Sequence, residues 1–184
     1  MNKWKLISSK KALESKWFTV RQDTVELPNG KVLEDYFVWE CADSCMIVPV
    51  TKEMDTILIR QYKHGRGEII TEFPAGYADP NEDIINTAAR ELEEETGYKS
   101  DKLTILGRLT QNPTKQTGDI YVILAENAVE TGERAHEETE DIELITVPLR
   151  KVLPMIQSGE IRTTTAAAAT LLALTHLGLI AIES

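Results

Sequence analysis

The order of strand-like and helical segments is the feature that most constrains the fold of this chain. Strand-like apolar runs lie on both sides of residues 83–96, where apolar side chains return at helical spacing and Gly97 supplies a C-cap. These runs cover residues 45–50, 56–62, 68–73, 103–109, 119–125 and 142–147, and two helices are predicted at 149–158 and 163–179. Because strand and helix do not alternate regularly, the pattern predicts an α+β (mixed α/β) fold with helices packed on a mixed sheet.

The N-terminal segment carries a separate pattern. Residues 17–27 and 32–41 alternate between apolar and polar side chains, and the turn Pro28-Asn29-Gly30-Lys31 lies between them. This pattern predicts an antiparallel β-hairpin. We therefore expect a β-hairpin element over residues 1–42 followed by a main domain over residues 43–184.

The net charge and the cysteine content limit the classes of binding partner and the cellular location that we expect. The formal net charge of −10 argues against passive attraction to nucleic acid or an anionic membrane. Neither a membrane span nor a secretory signal is expected, because no segment has the required apolar length. Cys41 and Cys45 have no nearby Cys or His partners and are expected to be reduced thiols. By elimination we expect a cytoplasmic protein, and an anionic substrate would require a bound cation.

Three carboxylates are predicted to share one edge of the central helix. At about 100° per residue, Glu91, Glu94 and Glu95 fall within an arc of about 100°. Leu92 lies on the adjoining apolar arc, whereas Glu93 points nearly opposite, towards solvent. Like charges at these spacings destabilise a helix by a few tenths of a kcal/mol per pair, so a counter-charge is expected.

Two counter-charges are candidates. Arg90 can neutralise one carboxylate, either Glu82 or Glu94, and a hard divalent cation such as Mg²⁺ or Mn²⁺ suits carboxylate oxygens. From the spacing alone, a solvated acidic helix face remains the alternative.

The complete spacing is more specific than the carboxylates alone. Gly76 is followed by five residues and Glu82, then by seven residues and the segment Arg90-Glu91-Leu92-Glu93-Glu94-Glu95-Thr96-Gly97-Tyr98. This resembles the Nudix box, GX5EX7REUXEEXGU with U an aliphatic residue. Every fixed position is present, and Tyr98 in place of the last aliphatic residue is a modest departure. The resemblance implies a Nudix-type α/β/α sandwich, preceded here by the N-terminal hairpin.

The resemblance also implies the metal and catalytic residues. The expected Mg²⁺ ligands are the Ala75 carbonyl and the side chains of Glu91, Glu94 and Glu95, with Glu82 as a further candidate. Arg90 would orient the carboxylates, and Glu82 would stabilise the junction between loop and helix. Bound metal in this family neutralises the charge of a diphosphate and activates a water for attack on phosphorus.

Features outside the box resemble the branch that cleaves ADP-ribose and nucleotide sugars. They are the lead-in Glu72-Phe73-Pro74-Ala75-Gly76, a proline at Pro113, 16 residues beyond Gly97, and a late acidic segment over residues 137–142. In that branch a loop glutamate often serves as general base. Glu138 and Glu140 are both candidates, and a solvated turn is the alternative for either one.

Substrate contacts are assigned from the same resemblance. Trp17 aligns with a tryptophan that stacks on the base, Tyr36 and Trp39 are the other aromatic candidates, and a core or dimer-interface role is the alternative. Arg60 or Lys63 is expected to contact phosphate, and a strand-end charge that simply reaches solvent is the alternative. Glu72 and Pro113 are expected at the substrate site, and members of the branch are usually homodimers. The competing functions are a Nudix hydrolase of nucleoside triphosphates or dinucleoside polyphosphates, and a non-catalytic nucleotide sensor.

Overall fold

The computed structural model describes residues 1–16, 18–132 and 141–181. The strands are β1 (Lys5–Glu14), β2 (Thr19–Glu26), β3 (Val32–Glu40), β4 (Ser44–Val50), β5 (Asp55–Lys63), β6 (Glu68–Glu72), β7 (Ala75–Tyr77), β8 (Tyr98–Lys99), β9 (Lys102–Leu109), β10 (Ile120–Glu126), β11 (Val129–Glu130) and β12 (Glu143–Pro148). The helices are α1 (Ile84–Thr96), α2 (Leu149–Ser158) and α3 (Thr164–His176). In the described part of the chain, none of these helices has the length and apolar character of a membrane span.

The chain divides into two units, and the first contains residues 1–42 together with 110–119. Its sheet has the order β1-β2-β3, with antiparallel pairing throughout. The β2–β3 hairpin was predicted, whereas β1 was not. All ten residues of β1 are exposed, so no buried face imposes the alternation by which a strand is identified in a sequence.

Residues 110–119 join this first unit through hydrogen bonds to the end of β3. The Trp39 N–H donates to the Lys115 carbonyl at 2.7 Å, and the Thr117 N–H donates to the Trp39 carbonyl at 3.1 Å. A Cβ at Gly118 would lie 2.2 Å from the Ala42 carbonyl oxygen, so this approach requires glycine. No local sequence pattern indicates this pairing, because its partners are more than 70 residues apart.

The second unit is built on a seven-stranded sheet. Its main order is β12-β5-β4-β10-β9, with β6 paired to β5 and β7 paired to β4. The sheet is mixed, because β10 runs parallel to β4 whereas the other pairs are antiparallel. This confirms the predicted fold class.

Helices cover both faces of this sheet, which explains the continuous apolar run in β4. Met46 and Val48 pack with residues of α2 and α3, whereas Cys45 and Ile47 pack with Ala88 and Leu92 of α1. Strands buried on both faces lose the apolar–polar alternation. The predicted α/β/α arrangement is confirmed, with α1 on one face and α2 and α3 on the other.

Pro49 lies in a central strand although its sequence suggested an edge or a bulge. The pairing of β4 with β5 is limited to Val50 and Thr56, so the missing N–H of Pro49 interrupts no extended ladder on that side. The Pro49 carbonyl accepts a hydrogen bond of 2.7 Å from the Thr56 hydroxyl.

Helix α1 begins and ends where its capping residues predict. The Asp83 side chain accepts from the Ile85 N–H at 2.9 Å, as an N-cap does. Gly97 has φ of 71° and its N–H donates to the Glu93 carbonyl at 2.7 Å, which is a left-handed C-cap. These caps fix the ends of the helix that carries the acidic residues, and the packing of Ala88 and Leu92 against β4 fixes its rotation.

Candidate active site

The short strand β7 brings backbone groups against the acidic edge of α1. It pairs antiparallel with β4 through Ala75 and Met46, and through Gly76 and Cys45. The Ala75 N–H donates to Glu95 Oε2 at 2.9 Å. Glu95 is only 3% exposed, so its carboxylate is fixed by the backbone rather than by water.

Gly76 provides the space that the Glu91 carboxylate occupies. A Cβ at residue 76 would lie 2.0 Å from the Glu91 carboxyl carbon, well inside any van der Waals contact. Cys45, opposite Gly76 in the sheet, is a free thiol whose pKa is raised to about 12, chiefly by burial. It is therefore a protonated packing residue.

Arg90 holds three carboxylates at once. Its Nε and Nη2 donate to the two oxygens of Glu82 at 3.1 and 3.0 Å, and Nη1 donates to Glu91 at 2.8 Å and to Glu94 at 3.0 Å. Nη2 also donates to the Tyr77 carbonyl at 3.2 Å. These bonds, led by that to Glu82, raise the pKa of Arg90, and the guanidinium remains charged.

The Glu82 carboxylate accepts hydrogen bonds from four donor groups. Besides the two bonds from Arg90, its Oε2 accepts from the Asp79 N–H at 3.1 Å and from the Thr87 hydroxyl at 2.8 Å. The pKa of Glu82 is lowered to about 2, with the Arg90 bond as the first cause. Since a carboxylate offers about four acceptor positions, this geometry supports the junction role of Glu82 more than a place among metal ligands.

The acidic edge fits a hard cation by its chemistry. The carboxylates of Glu82, Glu91 and Glu94 contact the guanidinium of Arg90, and the Glu95 carboxylate accepts from the Ala75 N–H. The Glu91 side chain is 15% exposed and Glu95 is buried, so a solvated acidic face does not account for them. Across residues 1–16, 18–132 and 141–181, no three acidic, His or Cys side chains converge as a preformed metal cage. The Arg90 bond to each of Glu91 and Glu94 engages one oxygen of that carboxylate.

Two predicted substrate residues meet within the first unit. Tyr36 and Pro113 line one cavity of about 320 Å³ together with Trp4, Arg21 and Thr117. The Tyr36 hydroxyl donates to the Thr114 carbonyl at 2.7 Å, and Lys115 Nζ lies 3.8 Å from the centre of the Tyr36 ring. Tyr36 thus ties residues 110–119 to the sheet in addition to lining the cavity.

Trp39 already has an aromatic partner. Its ring stacks on Phe18 with centroids 5.2 Å apart and an interplanar angle of 28°. This contact supports the structural alternative for Trp39.

Arg60 and Glu72 have ion-pair partners in the second unit. Arg60 Nη1 lies 3.2 Å from Glu143 Oε2, across the pairing of β5 with β12. Glu72, 9% exposed, accepts from Lys63 Nζ at 2.9 Å. Trp17, Glu138 and Glu140 lie outside the described residues.

Thr87 is a site residue that the sequence reasoning missed. Its hydroxyl contacts Glu82. Helix geometry alone could have predicted its position. At about 100° per residue, Thr87 falls about 40° from Glu91, on the acidic edge. A polar residue at that rotation, where the helix meets β7, was the available signal.

Comparison with known proteins agrees with this geometry. The NUDIX domain model matches residues 41–165, and the nucleoside diphosphate sugar hydrolase N-terminal domain model matches residues 4–39. An ADP-ribose pyrophosphatase from Bacillus subtilis is 32% identical over 85% of both chains, and a GDP-mannose pyrophosphatase from Citrobacter koseri is 32% identical over 83% of this chain and 85% of its own. A crystal structure of an ADP compounds hydrolase has the same fold, with a TM-score of 0.86 at 24% identity over 98% of each chain. The chain belongs to the NUDIX family and is a Nudix hydrolase with an N-terminal domain of the nucleoside diphosphate sugar hydrolase type.

Proposed function

We propose that the protein hydrolyses the diphosphate bond of a nucleoside-diphosphate-linked sugar, ADP-ribose or a nucleotide sugar, to a nucleoside monophosphate and a sugar phosphate. The observation that carries this proposal is the acidic edge of α1, where Arg90 holds Glu91 and Glu94 and the Ala75 N–H of β7 holds Glu95. Relatives named ADP-ribose pyrophosphatase and GDP-mannose pyrophosphatase support the substrate class.

The proposed cofactor is Mg²⁺, with Mn²⁺ as a substitute. The side chains of Glu91, Glu94 and Glu95 and the carbonyl of Ala75 would hold it, since all are hard oxygen donors. When bound, a divalent cation neutralises charge on the diphosphate and lowers the pKa of a water. The chain itself prepares the ligands: the Ala75 N–H fixes Glu95, and Gly76 leaves room for Glu91.

The proposed general base is a glutamate of the late acidic segment, either Glu138 or Glu140. A general base must take a proton from the attacking water, so its loss lowers turnover without removing the metal site. Separate Gln variants distinguish the two, since only loss of the base changes the dependence of turnover on pH.

We place the nucleoside against the aromatic residues of the first unit. Tyr36 and Pro113 already line a cavity of about 320 Å³, and Trp17 is the proposed stacking residue, worth roughly 1–3 kcal/mol per base. Arg60 is proposed to contact phosphate, which requires its exposed pair with Glu143 to open. Such exposed pairs cost little to break. Glu72 is proposed to contact the substrate because of its position in the segment Glu72-Phe73-Pro74-Ala75-Gly76.

We also propose a homodimer formed through the N-terminal element over residues 1–42. Strand β1 is exposed along its whole length and presents half-exposed Leu6, Ile7 and Leu13. An exposed apolar edge strand is a surface that proteins normally cover. Light scattering should give about twice the monomer mass of 20.6 kDa. A monomer at micromolar concentration would contradict this proposal.

A substrate panel with Mg²⁺ tests the proposed reaction. The panel contains ADP-ribose, ADP-glucose, GDP-mannose, UDP-glucose, diadenosine polyphosphates and dGTP, scored for nucleoside monophosphate or phosphate released. We expect one diphosphate-linked sugar to be cleaved preferentially, and the Trp17→Ala variant to raise its KM far more than it lowers kcat. Preference for dGTP or a diadenosine polyphosphate would contradict the substrate class, and tight binding without hydrolysis would contradict the reaction.

A further inference from the structure

The Thr87 hydroxyl lies closest to an acceptor that is unusual for a buried threonine in a helix. It lies in the first turn of α1 and is fully buried. A threonine inside a helix commonly donates to the carbonyl four residues earlier, which here is that of Asp83 at 3.3 Å. The Glu82 carboxylate is closer, at 2.8 Å.

The shorter contact identifies the main acceptor. A hydroxyl carries one proton, and a bond to an ionised carboxylate is both shorter and stronger than one to a neutral carbonyl. The Glu82 carboxylate accepts two hydrogen bonds from the guanidinium of Arg90, which favour its ionised form. The Thr87 hydroxyl therefore belongs to the charged network and not only to the helix.

Glu82 in turn determines where the guanidinium lies. It is the partner that engages two different nitrogens of Arg90, Nε and Nη2. The remaining nitrogen, Nη1, is shared between Glu91 and Glu94. If Glu82 rotated, Arg90 would lose its two-point attachment and would be drawn further onto these two carboxylates, which are the proposed cation ligands.

We propose that Thr87 is a positioning residue for the hydrolytic reaction. Its hydroxyl fixes Glu82, and through Glu82 it holds Arg90 at a distance that leaves Glu91 and Glu94 available to a divalent cation. The proposal rests on the proposed metal site, but it does not depend on which substrate is cleaved.

The chain contains a matched control for the loss of a buried helical hydroxyl. Thr170 in α3 is also fully buried, and its hydroxyl donates to the Ala166 carbonyl at 2.7 Å. Helix α3 packs on the opposite face of the sheet from α1. The Thr170→Val variant therefore removes a comparable bond without touching the carboxylate network.

The experiment compares Thr87→Val, Thr87→Ser and Thr170→Val in the full chain. Mn²⁺ affinity is measured by electron paramagnetic resonance without substrate, together with kcat, KM and the midpoint of thermal unfolding. Loss of a group that orients metal ligands typically costs 10–100-fold in metal affinity or activity, so we expect a loss of about tenfold or more for Thr87→Val. KM should change far less than kcat. Thr87→Ser should restore both quantities to within about twofold, and Thr170→Val should lower stability alone.

A purely structural role gives a different result. Wild-type Mn²⁺ affinity in Thr87→Val would overturn the proposal, as would failure of Thr87→Ser to restore it. If Thr87→Val is unfolded at the assay temperature, Thr87→Ala takes its place in the comparison.

In a Glu82→Gln background, Thr87→Val should have no further effect on Mn²⁺ affinity, and an additive loss would also contradict positioning through Glu82. Because Mn²⁺ binding is measured without substrate, these outcomes stand even if every member of the substrate panel resists hydrolysis.

Discussion

The Glu94→Gln variant is expected to lose turnover by about three orders of magnitude while keeping nearly wild-type stability. The substitution keeps the shape of the side chain and removes one negative charge from the proposed cation site. Metal-ion catalysis lowers the activation barrier by several kcal/mol. Each 1.36 kcal/mol of barrier corresponds to about tenfold in rate. Steady-state kinetics with Mg²⁺ and thermal unfolding of the same preparation measure the two effects.

The small effect on stability follows from the position of Glu94. Its side chain is 38% exposed and its bond from Arg90 spans four residues of helix. Such pairs stabilise a helix by about 0.2–0.5 kcal/mol. Arg90 also keeps its bonds to Glu82 and Glu91, so the network survives the loss of one acceptor.

Glu93 is the matched control for this experiment. It neighbours Glu94 on the same helix but pairs with Lys99, at 2.6 Å, instead of Arg90. Glu93→Gln should therefore keep turnover within about twofold of wild type, since exposed pairs contribute little. Near-normal turnover in Glu94→Gln, or an equal loss in both variants, would remove Glu94 from the proposed site.

The Gly76→Ala variant is expected to lose about 100-fold or more in turnover with a modest loss of stability. Its new methyl group would coincide with the Glu91 carboxylate, 2.0 Å from both the carboxyl carbon and Oε1. The end of a glutamate side chain can move, so the cost in unfolding free energy should not exceed the roughly 1–3 kcal/mol of overpacking. The displaced carboxylate is the functional loss, because misplacement by about 1 Å can reduce a rate about 100-fold.

The Gly65→Ala variant separates this effect from the general cost of replacing a glycine by alanine. A Cβ at Gly65 would meet no atom within 4 Å, so stability and turnover should both stay near wild type. The pair is compared by kcat and by Mn²⁺ affinity. Full turnover in Gly76→Ala would show that Glu91 does not act from the position seen in the structure.

The parts of the fold that the sequence predicted well are those with strong local signals. Helix α1 was placed to within one residue because Asp83 and Gly97 provide caps and the apolar residues return at helical spacing. The buried strands β4 and β10 were recognised from apolar runs. Strand β1 and the pairing of Trp39 with residues 110–119 were missed, because an exposed strand and a long-range hydrogen bond leave no such local pattern.

The residues of the candidate site could be predicted from the sequence, but the hydrogen bonds between them could not. The spacing identified the carboxylates of α1, yet it assigned Arg90 to one carboxylate, whereas the guanidinium contacts Glu82, Glu91 and Glu94. Which oxygens a guanidinium reaches depends on side-chain rotamers and on the approach of β7, and sequence spacing specifies neither. The position of Thr87 on the acidic edge follows from helix geometry, but its hydrogen bond to Glu82 depends on these rotamers.

The most direct test of the central claim is a phosphorus NMR time course of the wild-type protein with ADP-ribose and Mg²⁺. We expect the diphosphate signals to disappear while those of AMP and ribose 5-phosphate grow in equal amounts, and we expect excess EDTA to stop the reaction. Diphosphate signals that persist with ADP-ribose and with each nucleotide sugar of the panel, although the compound binds, would contradict hydrolysis. Hydrolysis that continues unchanged in EDTA would contradict the assignment of the α1 carboxylates to a divalent cation.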